Sequence, residues 1–168
     1  MKKLFVMLFA VIISMTAFSQ GKDVVDIAIA SKDHTTLVAA LKAADLVNTL
    51  KSKGPFTVFA PTNAAFDKLP AGTVDGLLKP ENKAQLAKIL TYHVVSGNMD
   101  AAAVGAAIKS GKGKAILTTV SGGKLTASMD MGKVKLTDES GNSAFVTTAD
   151  LKGSNGVVHV IDGVVLPQ

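Results

Sequence analysis

The chain has no cysteine, no tryptophan and no arginine. Without cysteine there can be no disulfide, no thiol nucleophile and no cysteine-ligated metal, so packing alone must hold the fold. Arginine is the side chain that grips phosphate and guanine with two parallel hydrogen bonds, and its absence argues against nucleic-acid binding. Glutamate occurs only at Glu81 and Glu139 and the aspartates are dispersed, so no carboxylate pair suggests glycosidase chemistry. The serines stand outside any Gly-x-Ser-x-Gly turn, and "SGKGK" lacks the spacing of a phosphate-cradling loop.

What is present begins with "MKK", the apolar run "LFVMLFAVII" and then "SMTAFSQ", with small residues at Ala17 and Ser19. This is the build of a secretory signal peptide. The run from Leu4 to Phe18 is interrupted by Ser14 and Thr16 and falls short of the roughly 18 apolar residues of a membrane span. Residues 1–19 are therefore expected to be a signal peptide cleaved after Ser19. Processing would leave no integral membrane segment, and no cysteine is available for a lipid anchor. The expected location is secreted or periplasmic. Removing Lys2 and Lys3 lowers the formal net charge from +5 to +3, and the other lysines are scattered along the sequence.

From Val24 to Lys51 the apolar residues predict two or three short helices, with Val25, Ile27 and Ile29 in the first and Leu37, Leu41, Ala44, Val47 and Leu50 after the polar "SKDHTT" break. Asp33 or Thr35 is the expected N-cap of the second segment. The stretch "GPFTVFAPTNAAF" then reads as a short strand, Phe56 to Phe59, closed by Pro61. After it, Thr62 or Asn63 is placed to cap the next helix. Helices are expected at "TVDGLL" and "ENKAQLAKIL", then a strand at "TYHVVSG", a soft helix at "DAAAVGAAI" and a flexible loop at "KSGKGK". From Lys114 onward the period becomes two, with a two-residue Gly122-Gly123 turn, a Met131-Gly132 turn and a last short strand at Val164 to Leu166. Helices first and sheet second make the fold class α+β.

Three histidines are the candidates for chemistry. His93 and His159 both lie in apolar contexts, "YHVV" and "VVHVID", with Asp162 close to the second. Together they could form an acid–base or metal set. No spacing favours that reading over buried histidines satisfied by backbone, and His34 reads as an incidental loop residue. Tyr92 and His93, taken as strand neighbours, would face opposite sides of a central strand and belong to the core. No cofactor and no metal ion is expected.

"TVFAPTNAAF" (57–66), "YHVV" (92–95) and "NGVVHVIDGVVLP" (155–167) together resemble the two blocks and the intervening Tyr-His motif of the fasciclin domain. The resemblance runs over 23–168, as one domain. It implies an antiparallel β-wedge or sandwich, carrying a helical cluster from the N-terminal half. It also implies a non-enzymatic binding module in cell-surface or matrix adhesion, whose partner is a surface or matrix protein or a polysaccharide. Carried over residue by residue, the motif positions are Thr57, Phe59, Pro61, Thr62, Asn63 and Phe66 in the first block, Tyr92 and His93 in the pair, and His159 and Asp162 in the second block. The alternative expectations are a periplasmic protein that binds a small ligand or polysaccharide, and an enzyme using His93, His159 and Asp162.

Overall fold

The computed structural model describes residues 21–168. The expected signal peptide lies outside the described residues. The first helix among the described residues is α1 (Val24–Ala30), whose N-cap Asp23 accepts from the amides of Val25 and Asp26 while the Asp26 side chain reaches back to the Asp23 amide. Its buried residues are Val24, Val25 and Ala28. Ile29, expected on the buried side, is instead 51 % exposed, because a 3.6-residue period turns it away from the sheet. A 3-10 turn leads into α2 (Thr35–Ala43), and α3 (Val47–Lys51) follows.

The second helix begins differently from expectation. Its N-cap residue is His34, which makes no side-chain cap, and neither Asp33 nor Thr35 supplies one. The Thr36 amide donates instead to Oδ1 of Asn63, 3.0 Å away on another helix. After β1 (Phe56–Pro61), Thr62 caps α4 (Asn63–Asp67) by accepting from the Ala65 amide. The two polar residues that looked like alternatives therefore cap two different helices.

Beyond α5 (Thr73–Leu77), α6 (Lys83–Tyr92) runs further than its sequence suggests. Tyr92 is its last residue and His93 its C-cap, so the expected strand at "TYHVVSG" is confined to β2 (Val94–Ser96). Helix α7 (Ala101–Ser110) leads through a hydrogen-bonded turn, not a loose loop, into β3 (Lys114–Thr118), β4 (Lys124–Asp130) and β5 (Lys133–Thr137). The long β6 (Ser143–Gly153) and β7 (Gly156–Ile161) complete the fold. The β3–β4 link spans Thr119 to Gly123 rather than two glycines, whereas Met131-Gly132 is the expected two-residue turn. Val164 to Leu166 is not a strand.

The seven strands run in the order β2-β1-β7-β6-β5-β4-β3. All pairings are antiparallel except that of β1 with β7, which is parallel and in register from Phe56↔Gly156 to Pro61↔Ile161. The sheet curls until its outer strands meet, with a bridge between Val95 and Thr119. Strand β1 sorts its side chains between two cores. Val58 and Ala60 join Leu37, Leu41, Leu86 and Leu90 under the helices. Phe59 joins Tyr92, Leu125, Leu136 and Ile161 inside the wedge. Burial on both faces is why "TVFAP" reads as a continuous apolar run.

Candidate functional site

The first-block residues are built into the frame. Thr57 is fully buried, donates to the Gly97 carbonyl at 2.7 Å and accepts from the Met99 amide at 2.8 Å, fastening β1 to the segment before α7. Phe59, 1 % exposed, stacks on the His159 ring with centroids 5.6 Å apart. Pro61 is fully buried and Phe66 packs under the helices. Asn63 also donates to the Lys32 carbonyl at 3.1 Å, so one amide group locks the start of α2 onto α4.

Tyr92 and His93 are both core, though not as neighbours on a strand. The Tyr92 hydroxyl donates to the Lys124 carbonyl at 2.6 Å and accepts from the Glu139 amide at 3.3 Å. Burial raises its pKa. His93 Nδ1–H donates to the Ile89 carbonyl at 2.9 Å, satisfying an acceptor that the end of α6 leaves open, and Nε2 accepts from the Val165 amide at 3.3 Å. Its ring is neutral, because burial pushes its pKa down to about 4.

The remaining candidates do not converge. His159 donates from Nε2 to the Met99 carbonyl at 2.8 Å and accepts at Nδ1 from the Asp150 amide at 3.3 Å. Asp162 accepts from the Phe145 amide at 2.8 Å, closing the β6–β7 ladder. Both nitrogens of both rings are thus held by backbone, and no cluster with metal-binding spacing occurs among the described residues. No hydrogen bond joins His93, His159 and Asp162 to one another, so their contacts do not assemble the catalytic set that the sequence allowed.

Three residues matter more than the sequence suggested. His34 is not a loop residue; it is 5 % exposed, with Nδ1 against the Ser31 hydroxyl at 2.8 Å and burial lowering its pKa. Its Nε2 has no hydrogen-bond partner among the described residues, although the Ala60 backbone opposes part of that lowering. Asp138 accepts from the amides of Ser140, Asn142 and Leu166, pinning the C-terminal segment. Asn155 accepts from the Val24 amide and donates to the carbonyls of Leu50 and Ser52. Its Asn-Gly sequence announces the turn but not the clamp.

Two concavities border these elements. One, of about 1040 Å³, is open and polar and runs past Asp23, Lys51 and Asn155. The other, of about 220 Å³, lies between α1 and the sheet beside His34 and Ala60. None of the ten motif residues lines either of them, and only Phe66 borders a third, of about 310 Å³, between α4 and α5. Among the described residues the large apolar side chains that remain exposed are Ile29, Ile116, Val120, Met129 and Met131, and all but the first lie on the β3–β5 meander and its turns. No described helix is long and apolar enough to cross a membrane.

Comparison with known proteins matches this architecture. The family model of the fasciclin domain covers residues 32–167. Protein sll1483 of Synechocystis sp. is 50 % identical over 156 residues, spanning 93 % of this chain and 79 % of its own length. Immunogenic protein MPB70 of Mycobacterium bovis is 38 % identical over 88 % of this chain and 72 % of its own. The transforming growth factor-beta-induced protein ig-h3 of Sus scrofa is 37 % identical over 86 % of this chain, which corresponds to 19 % of that much longer protein. A domain pair from the insect cell adhesion molecule Fasciclin I shares the fold, with a TM-score of 0.75 at 18 % identity, over 86 % of this chain and 51 % of that one.

Proposed function

The chain belongs to the fasciclin domain family, and from that premise we propose that it is a secreted or periplasmic, non-enzymatic binding module that contacts a surface or matrix component through its β3–β5 meander. One observation carries the reading. The motif blocks are mostly buried in the interior, while Ile116 at 68 % and Met131 at 91 % exposure leave apolar surface on the meander. Four of the five large exposed apolar side chains stand on this meander and its turns, which makes it the most apolar exposed part of the described residues. Backbone engagement of both nitrogens of His93 and His159 supports the non-enzymatic part.

Under this proposal the folded module is 23–168 and residues 1–19 are removed on export, so that intact mass places Gln20 first. Immobilised protein should retain a component from solubilised envelope or matrix. Ile116→Asp should abolish that retention without moving the melting curve. Retention indifferent to Ile116→Asp, or lost only when the fold is lost, would refute the surface assignment.

A further inference from the structure

The sheet register gathers charge that is dispersed in the sequence. Lys114, the first residue of β3, pairs with Ser128, and Ser128 pairs with Lys135. The β4–β5 turn therefore projects past the start of β3, beside the turn that joins α7 to β3. Lys109, Lys112, Lys114 and Lys133 are exposed at this end, and none of them is in an ion pair among the described residues. The one carboxylate on these turns, Asp130, is held by Lys135 at 3.4 Å. Five lysines thus face a single aspartate, in a chain whose whole formal net charge is +5.

The apolar side chains of this end are as exposed as the lysines. Met131 is 91 % and Met129 51 % exposed. Met131 sits at φ 49 and Lys112 at φ 56, each just before a glycine, at φ 76 and 101 respectively. A left-handed residue ahead of glycine in a tight turn is a position for asparagine, aspartate or glycine, and a long side chain costs stability there. At the position before its glycine, neither turn carries the residue that the backbone favours.

We propose that this end of the wedge docks on an anionic lipid bilayer surface, with Met131 and Met129 entering the interface and the four unpaired lysines lying against the headgroups. The proposal rests on the reading that the meander is the contact surface, and it names the partner. An apolar tip ringed by lysines is the arrangement that interfacial binding uses, apolar burial adding to attraction by anionic headgroups. An acidic polysaccharide would match the lysines but gives fully exposed methionine nothing to bury against.

The test is sedimentation with vesicles of phosphatidylcholine, with and without phosphatidylglycerol, using protein whose N-terminus has been read by intact mass. Binding should require the anionic lipid and fall steeply as salt is raised from about 0.05 M to about 0.5 M. Each lysine near the surface is worth about a fivefold change in partitioning, so Lys112→Gln with Lys133→Gln should lower it about 25-fold. Met131→Asn, which suits the turn, should leave the melting curve level or higher and weaken binding about fivefold, an effect of apolar burial alone. Three results would each overturn the proposal: no binding to anionic vesicles at low salt, binding indifferent to the lysine pair, or binding indifferent to Met131→Asn. Salt-sensitive binding to alginate with none to vesicles would reassign this end to an acidic polysaccharide. Retention of an envelope or matrix component that still depends on Ile116 while vesicles fail would leave the module's function standing and remove only the lipid.

Discussion

Acid should find this fold through His93. The ring is buried and neutral, and burial holds its pKa at about 4 against 6.5 for an unperturbed histidine. As pH falls, the unfolded chain therefore takes up the proton first. The stability associated with the neutral ring is complete above about pH 6.5, is lost progressively below it, and is fully lost below about pH 4. At 1.36 kcal/mol per unit of pKa difference the loss amounts to about 3 kcal/mol, a large share of the roughly 5–15 kcal/mol that holds an ordinary domain together. His34, whose pKa burial also lowers, adds a contribution of the same sign.

Urea melts at several pH values between about 7 and 4.5 measure this directly. In His93→Leu the pH dependence should shrink to the share left by His34 and the carboxylates. The variant should also start lower at neutral pH by about 1–3 kcal/mol, since the Ile89 carbonyl and Val165 amide lose their partner. A second variant, His34→Leu, should remove a smaller part of the slope. If His93→Leu kept the full pH dependence of the parent between pH 6.5 and 4, the assignment of acid sensitivity to this ring would be wrong.

Other perturbations test the frame. Phe59→Ala empties the centre of the wedge and strips the His159 ring of its stacking partner, so it should cost about 3–5 kcal/mol in a urea melt. Asn63→Ala should cost more than Thr62→Ala, at about 2 against about 1 kcal/mol, because Asn63 serves both the Thr36 amide and the Lys32 carbonyl; equal costs would show that the link between α2 and α4 is idle. Tyr92→Phe should lower stability by about 1–3 kcal/mol, through the Lys124 carbonyl and Glu139 amide left without their partner. Gly156→Ala should prevent folding, since a Cβ there would lie 2.0 Å from the Phe56 carbonyl oxygen; a soluble variant with native circular dichroism would contradict the close β1–β7 approach.

Much of this was legible residue by residue, because local chemistry decided it. The α+β order, the helices between Val24 and Lys51, the Thr62 cap and the β3–β6 meander follow from period, capping and turn residues that act within a few positions. What stayed hidden is decided at long range. "TYHVV" looks like strand by composition, yet α6 extends through Tyr92 because the ring anchors on the Lys124 carbonyl across the molecule and His93 satisfies the Ile89 carbonyl. His34 sits among polar residues and reads as loop until the sheet beneath it buries it. Asn63 looks like a cap for its own helix and serves another one. The lysines of the α7–β3 turn and of β5 are strangers in sequence, and only strand register makes them neighbours.

The parallel pairing of β1 with β7 has a consequence for synthesis. This pair joins residues 56–61 to residues 156–161, so every hydrogen bond between them closes a loop of about a hundred residues, at the entropic cost such loops carry. A nascent chain emerging from a ribosome or a translocation pore can form its helices and the β3–β5 hairpins as they appear, but it has no partner for the inner edge of β1 until Gly156–Ile161 is out. The β1–β7 junction therefore forms only once Gly156–Ile161 is available, and folding is slow by the standard of helical proteins of this size. Until that strand arrives the sheet stays open between β1 and β6, and its arrival joins the two parts in one step.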